Sequence, residues 1–231
     1  MDSKTMYKLS YGLFVLTSID NTEESQSDSS MPNLQANSAQ PLSRNCKDNG
    51  CITNTAIQVT SEPNRISLAV NKANYTHDMI QKSGIFTVSI ISEDADFALF
   101  KHFGFQSGRD VDKFADFTDC KRLENGTLAI TKGTNGYIAG KVIQSVDLGT
   151  HTLFIADVTD MEVLSDVPSA TYTYYQSNIK PKPQASSDAE KGKVVWRCKI
   201  CGYEYEGEEL PADFVCPICK HPASDFERVV K

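Results

Sequence analysis

Four cysteines near the C-terminus stand in two Cys-x-x-Cys pairs, Cys198-Lys199-Ile200-Cys201 and Cys216-Pro217-Ile218-Cys219. A Cys-x-x-Cys turn aims both thiolates at one point, so two such turns can complete a tetrahedron around a single ion. A tetrahedral all-sulfur site selects zinc or iron, and the spacing alone fits both. Zinc would make the segment a structural knuckle, whereas iron would make it a one-electron carrier. The flanking residues favour iron. Gly202 follows the second cysteine and can adopt positive φ, letting successive backbone N–H groups turn toward sulfur. Such donors tune an iron–sulfur centre. Trp196, Tyr203, Tyr205, Phe214 and Phe226 are placed to form an apolar shell around it.

A second constellation lies upstream. Asn71, Lys72, Asn74, Thr76 and His77 fall between a strand pattern and a helix pattern. Amides at a helix start, the positive dipole end, a lysine and short polar side chains together make an anion site. Thr76 is the expected cap if the helix begins there. Ahead of them, Cys51-Ile52-Thr53-Asn54-Thr55-Ala56 opens a strand of small polar residues. Such a strand offers backbone N–H groups and short side chains to a flat heteroaromatic ligand. Ser107-Gly108-Arg109-Asp110 reads equally as a flexible loop near the site or as a solvated turn.

These residues need a scaffold, and the chain is long enough to supply one. At 231 residues and 40% hydrophobic it suits one or two domains with a buried core. A net charge of −7 argues against nucleic acid or an acidic membrane surface as a partner. Leu13–Leu16 is too short an apolar run for a signal peptide or a span, so the expectation is a soluble cytoplasmic protein. Seven cysteines, four of them in metal-type pairs, make a disulfide framework improbable and leave Cys46, Cys51 and Cys120 as reduced thiols.

Composition divides the chain into a β-rich domain over 1–176, a linker over 177–193 and a small metal module over 194–231. The linker, with Lys180-Pro181-Lys182-Pro183 and then Ser186-Ser187, would span roughly 20–25 Å. The module is too small to hold together without its metal. Strands are expected at 11–19, 52–60, 65–71, 85–92, 137–146 and 152–164, with helices at 76–83 and 95–103 closed by Gly84 and Gly104. That pattern gives a mainly β fold, a small barrel with inserted helices. The chain has no Gly-x-Gly-x-x-Gly, which argues against a Rossmann sheet. Residues 21–45 are Ser-, Asn- and acid-rich without apolar period, expected as a mobile loop. Asn49-Gly50 after them reads as a hairpin turn.

The C-terminal pattern Trp196-x-Cys198-x-x-Cys201-Gly202-Tyr203-x-Tyr205, followed by Leu210-Pro211-Ala212-Asp213-Phe214-Val215-Cys216, resembles rubredoxin. Its short spacing between pairs looks like the module fused to rubrerythrins, and Lys220 stands where rubredoxins usually have glycine. Residues 1–176 look like the flavin reductase-like, split-barrel FMN-binding family. The resemblance rests on the two segments above together with Tyr11-Gly12-x-Phe14, Gly84-Ile85-Phe86-Thr87 and Gly149-Thr150-His151-Thr152. It implies a homodimeric split barrel. Asn71, Lys72, Asn74, Thr76 and His77 would hold the FMN phosphate. Thr53, Asn54, Thr55 and Ala56 would lie along the ribityl chain and ring, with Cys51 close to the ring. His151 would help place a nicotinamide at the flavin edge, or is simply a half-exposed strand residue. The two modules in this order resemble the high molecular weight rubredoxins. This implies an NAD(P)H-dependent reductase, using NADH or NADPH, that feeds a flavodiiron protein through an iron bound by the four cysteines. Two alternatives stay open: a flavin reductase supplying reduced FMN to a monooxygenase, and a flavin-binding regulator with a zinc ribbon.

Overall fold

The β-branched and aromatic segments of the large domain form β1 (Phe14–Asp20), β2 (Lys47–Thr53), β3 (Ile57–Ser61), β4 (Asn64–Asn71), β5 (Ile85–Ile91), β6 (Cys120–Arg122), β7 (Leu128–Ile130), β8 (Thr134–Asp147) and β9 (His151–Val163). The helices are α1 (Tyr75–Ser83) and α2 (Phe97–Gly104). The computed structural model describes residues 5, 8–20, 46–181, 194–199, 203–216 and 222–230. The 21–45 stretch, most of the expected linker, and Cys201, Gly202, Cys219 and Lys220 lie outside the described residues.

Seven strands form one antiparallel sheet in the order β2-β1-β5-β8-β9-β4-β3. Its two edges, β2 and β3, are consecutive in the chain and separated only by Asn54, Thr55 and Ala56. A connection that short reaches roughly 13 Å when fully extended. The sheet must therefore curl until its edges meet, which closes a barrel. Thr55 seals the seam: its Oγ1 donates to the Ala69 carbonyl (2.7 Å) and accepts from the Ala69 N–H (3.2 Å). A side chain thus satisfies ladder groups on β4 that no strand reaches.

Alternation along the strands sorts the apolar residues. Leu16, Leu68, Val70, Phe86, Val88 and Phe154 fill the barrel together with Ile80 of α1. Leu13, Val15 and Ile91 face the other way and pack against Phe100 and Phe103 of α2. Tyr175, on a π-helical turn over Tyr175–Ile179, extends that outer cluster and lies 4.4 Å from the Phe100 ring, centroid to centroid. The mainly β expectation holds, and two local readings need correction. The expected single strand at 52–60 is two strands, broken where the chain crosses from one sheet edge to the other. Asn49-Gly50 is no turn: both lie inside β2, opposite Ser18 and Thr17. Glycine is needed there for space, since a Cβ at 50 would sit 3.1 Å from the Phe103 ring and 3.2 Å from the Leu16 carbonyl.

The C-terminal module is a three-stranded sheet of β10 (Val194–Cys198), β11 (Glu204–Glu206) and β12 (Phe226–Val230), ordered β11-β10-β12. Among the described residues, no helix is long and apolar enough to cross a membrane.

Candidate functional site

At the end of β4 the chain turns into α1 through a run of side-chain caps. Asn71 Oδ1 accepts from the Ala73 N–H (2.9 Å), and Asn74 Oδ1 accepts from the Thr76 N–H (3.1 Å). Asn74, extended at φ −80° and ψ 130°, is therefore the N-cap, two residues earlier than the Thr76 expected from sequence. Thr76 is fully buried and instead accepts from Asn49 Nδ2 on β2 (2.9 Å). That bond ties the helix start to the neighbouring strand.

A cavity of about 780 Å³ opens where β2, the β4–α1 turn and the segment after α2 meet. This is the size of a site for a cofactor-sized ligand. Cys51 and Ile52 come from β2; Asn71, Ala73, Asn74 and Tyr75 from the helix entry; residues 103–111 and Lys113 from the α2 end and its loop. Pro222 of the C-terminal module also lines it. The wall mixes apolar rings with amide, hydroxyl and cationic groups, which suits a planar anionic cofactor.

Of the sequence-derived flavin residues, Cys51, Asn71 and Asn74 lie on this wall. Thr76 and His77 stand one layer behind. His77 is 7% exposed, with Nε2 against Thr152 Oγ1 (2.8 Å), Nδ1 against Asp78 Oδ1 (3.1 Å) and its ring on Phe154. Lys72 Nζ reaches across to Asp147 Oδ1 (2.7 Å) at the end of β8 and holds that carboxyl below its ordinary range. Thr53, Asn54, Thr55 and Ala56 sit at the barrel seam, where the Thr53 and Thr55 hydroxyls meet at 3.2 Å. His151 begins β9 opposite Asn71 in register, its Nδ1 2.9 Å from Thr150 Oγ1. Neither the seam residues nor His151 lines the cavity.

Two cationic residues also line the wall: Arg109, in the loop the sequence left open between a site loop and a solvated turn, and Lys113, which the sequence reading missed. Arg109 stacks over Tyr75 (4.9 Å to the ring centroid) and donates to Asp78 Oδ2 (2.6 Å), clipping the loop after α2 to α1. Partial burial pushes the Asp78 carboxyl up, but Arg109 and His77 outweigh it and hold it below the ordinary range. Lys113 is 3% exposed, and burial brings its ammonium down to about 8. The Cys51 thiol is pushed up by burial, against the opposing pull of Thr76, Lys113 and Asn74. Nothing in local pattern marks Lys113, which sits among Asp110, Asp112 and Asp116 as any surface lysine would. The close-set Gly104 and Gly108 ahead of Arg109 hint that this loop approaches other backbone.

In the module, Cys198 ends β10 and Cys216 follows Val215; they are 1% and 0% exposed. Neither is in a disulfide. The Cys198 N–H donates to the Tyr203 carbonyl (2.8 Å), which folds the first knuckle back on itself. Phe226, Trp196, Tyr203, Leu210 and Phe214 enclose the two thiols, with Phe214 edge-on to Phe226 at 5.4 Å. Two buried thiols brought from separate hairpins into an aromatic shell fit a thiolate-bound metal. Cys201 and Cys219, the other two expected ligands, lie outside the described residues.

A curled antiparallel barrel with a helix-entry cavity, followed by a cysteine-knuckle module, defines a flavin-handling oxidoreductase with a metal-binding appendage. The chain belongs to the flavin reductase like family, whose model matches residues 6–182, and the rubrerythrin, rubredoxin-like domain model matches residues 196–227. It is similar over its whole length to the high molecular weight rubredoxin of Moorella thermoacetica: 31% identical over 254 residues, covering 99% of this chain and 100% of that protein. The NAD(P)H ferric-chelate reductase of Archaeoglobus fulgidus is 34% identical over 182 residues, covering 79% of this chain and 93% of that protein. Among solved structures, an NADH:FAD oxidoreductase of Streptomyces globisporus in complex with NAD and FAD fragments has a TM-score of 0.56 at 17% identity, over 79% of this chain and 92% of that one. The flavin reductase PheA2 has a TM-score of 0.51 at 23% identity, over 74% and 93%. These two support the fold.

Proposed function

We propose that this chain is an NAD(P)H-dependent reductase that moves electrons from FMN to an iron held by Cys198, Cys201, Cys216 and Cys219, and on to an acceptor protein, a flavodiiron oxygen or nitric oxide reductase. The observation that carries the reading is the pairing in one chain of a capped-helix cavity and a pair of buried, aromatic-shielded thiols. The name of the Archaeoglobus relative supports NADH or NADPH as donor.

When bound, FMN supplies the conversion of a two-electron hydride into single electrons. The protein supplies position and environment. Asn71, Asn74 and the start of α1 hold the anionic end of the ligand, while Lys72, Thr76 and His77 brace that turn from behind. Ile52, Phe103 and Phe105 flank the flat ring and exclude water. Cys51 remains a neutral thiol beside it, because its burial opposes ionisation. Thr53–Ala56 fix the barrel seam next to the cavity residues Cys51 and Ile52, and His151, in register with the cavity residue Asn71, is the group assigned here to steering the nicotinamide. Iron rather than zinc gives the module's aromatic shell a purpose, since burial shifts the potential of a redox metal. Tethering keeps the second centre at millimolar effective concentration, so transfer does not wait for diffusion. Ile57 and Val59 on the wholly exposed strand β3 are covered in this reading by a second copy of the chain.

A visible spectrum followed by anaerobic NADH and NADPH titration tests the proposal. Flavin bands together with ferric–thiolate absorption, both bleached by the nicotinamide, are expected. A colourless metal, or iron bands that never bleach, would sink the electron-carrier reading. Loss of FMN on gel filtration would favour a reductase that releases reduced flavin.

A further inference from the structure

On the inner wall of the cavity sits a buried lysine, Lys113. Lys113 Nζ donates to two main-chain carbonyls, Gly50 on β2 (2.7 Å) and Phe103 in the last turn of α2 (3.0 Å). Among the described residues no carboxylate pairs with it, and it has no further partner. An ammonium carries three donors, so one N–H is left over at a residue that lines the cavity. Two carbonyls and the negative end of α2 offset part of the burial. They do not neutralise the charge, and an unpaired buried cation is among the costliest groups in a protein.

The surroundings sharpen this. The titratable groups around Lys113 are Cys51 on β2 and His102 on α2, whose Nε2 donates to the Lys113 carbonyl (2.7 Å). Across the cavity stand Tyr75 on α1 and Arg109 and Asp110 of the loop. Cys51 and Tyr75 are both held neutral by burial, and the Arg109 charge is already answered by Asp78. A ligand with negative charge at this wall would supply the missing partner. An oxidised flavin ring is neutral; a reduced one loses a proton readily and becomes an anion. A phosphate would offer the same charge from a different part of the ligand.

We propose that Lys113 is the charge-setting residue of the cavity, making it bind the reduced, anionic flavin ring in preference to the oxidised, neutral one. The inference rests on the flavin reading above and adds a direction to it: the site pulls the flavin toward its reduced state. Without an anionic partner the lysine stands near the edge of deprotonation, since burial has brought it down to about 8. A bound anion holds the proton on.

The test compares affinities for oxidised FMN, by quenching of flavin fluorescence, with those for dithionite-reduced FMN, by anaerobic calorimetry. Wild type should prefer reduced FMN. Lys113→Met should cut that preference at least about tenfold, as loss of a nearby cation does in a medium of intermediate dielectric. Oxidised-FMN affinity should stay within about threefold, because the neutral ring meets little of the charge. The control Lys101→Met, on the exposed side of α2, should leave both affinities unchanged. In wild type the preference should weaken between pH 7.5 and 9.5; in Lys113→Arg it should persist across that range. Should the methionine variant fail to fold, this titration of wild type decides alone. An unchanged preference in Lys113→Met overturns the proposal as a merely structural lysine. An equal loss of both affinities, absent when riboflavin replaces FMN, overturns it as a phosphate contact. If wild type binds neither form, the flavin reading and this inference fall together; if it binds both with a preference indifferent to Lys113 and to pH, only the inference falls.

Discussion

Gly108 approaches Asn49 so closely that a Cβ there would lie 2.0 Å from the amide oxygen. The oxygen is buried without a hydrogen-bond partner, and the same loop residue accepts from Lys47 Nζ through its carbonyl (2.7 Å). The loop after α2 is thus pressed onto β2 at one glycine and clipped to α1 at Arg109. Gly108→Ala should lift the loop off the strand, destabilising the barrel by about 1–3 kcal/mol as overpacking does. Weakened flavin retention should accompany the fall in Tm on thermal denaturation. Lys113 gives a prediction of opposite kind. Its folded-state pKa lies below the ordinary lysine value, so between about pH 8 and 10.5 the unfolded chain binds a proton that the folded chain does not. Stability from this group therefore rises with pH through that window, and below it the burial cost stands in full. Relative to Lys113→Met, wild type should gain roughly 3 kcal/mol of unfolding free energy from pH 8 to pH 10.5 in denaturant melts.

The helix entry shows how far an element can be read before the fold is known. Asn71, Asn74 and Thr76 were legible as polar residues gathered between a strand and a helix, and the apolar alternation of β1, β4, β5, β8 and β9 was plain. Which of the three caps the helix was not legible, because the capping bond depends on where the turn after β4 begins. Asn49-Gly50 misled for a related reason: the dipeptide that marks tight turns also serves where a strand needs a bare backbone against a Phe103 ring. Lys113 had no signal at all, since its burial is created by residues remote in sequence. Capping and binding at Asn74 can be separated. Asn74→Ala removes the cap and should cost about 1 kcal/mol. Asn74→Asp keeps an N-cap acceptor and adds a charge that the helix dipole favours, so stability should hold. The aspartate variant should nonetheless weaken FMN binding by charge repulsion, most visibly at low salt. Equal FMN affinity in Asn74→Asp and wild type would mean that α1 does not face the phosphate.

At the scale of the whole molecule the two modules are held together by different means. Among the described residues the barrel has three clusters of buried side chains around its strands, whereas the C-terminal module has one, made of two thiols and a handful of aromatic rings. A core that small does not stabilise a sheet of three short strands, so in the reading proposed above the module's folding free energy comes largely from a bound metal. The barrel has no such dependence. Cys216→Ser should therefore abolish the metal-centre absorption and melt the module, with loss of near-ultraviolet circular dichroism from Trp196, the chain's one tryptophan. The barrel's thermal transition should shift little, because every residue lining its cavity except Pro222 belongs to the barrel domain itself. NADH should still bleach the bound flavin in the variant at close to the wild-type rate, while reduction of an added one-electron acceptor protein slows at least about tenfold as the tethered carrier is lost. Should both rates survive, electrons leave directly from the flavin and the cysteine module is a docking element. Should both fail together with the barrel's transition, the two modules share one cooperative unit.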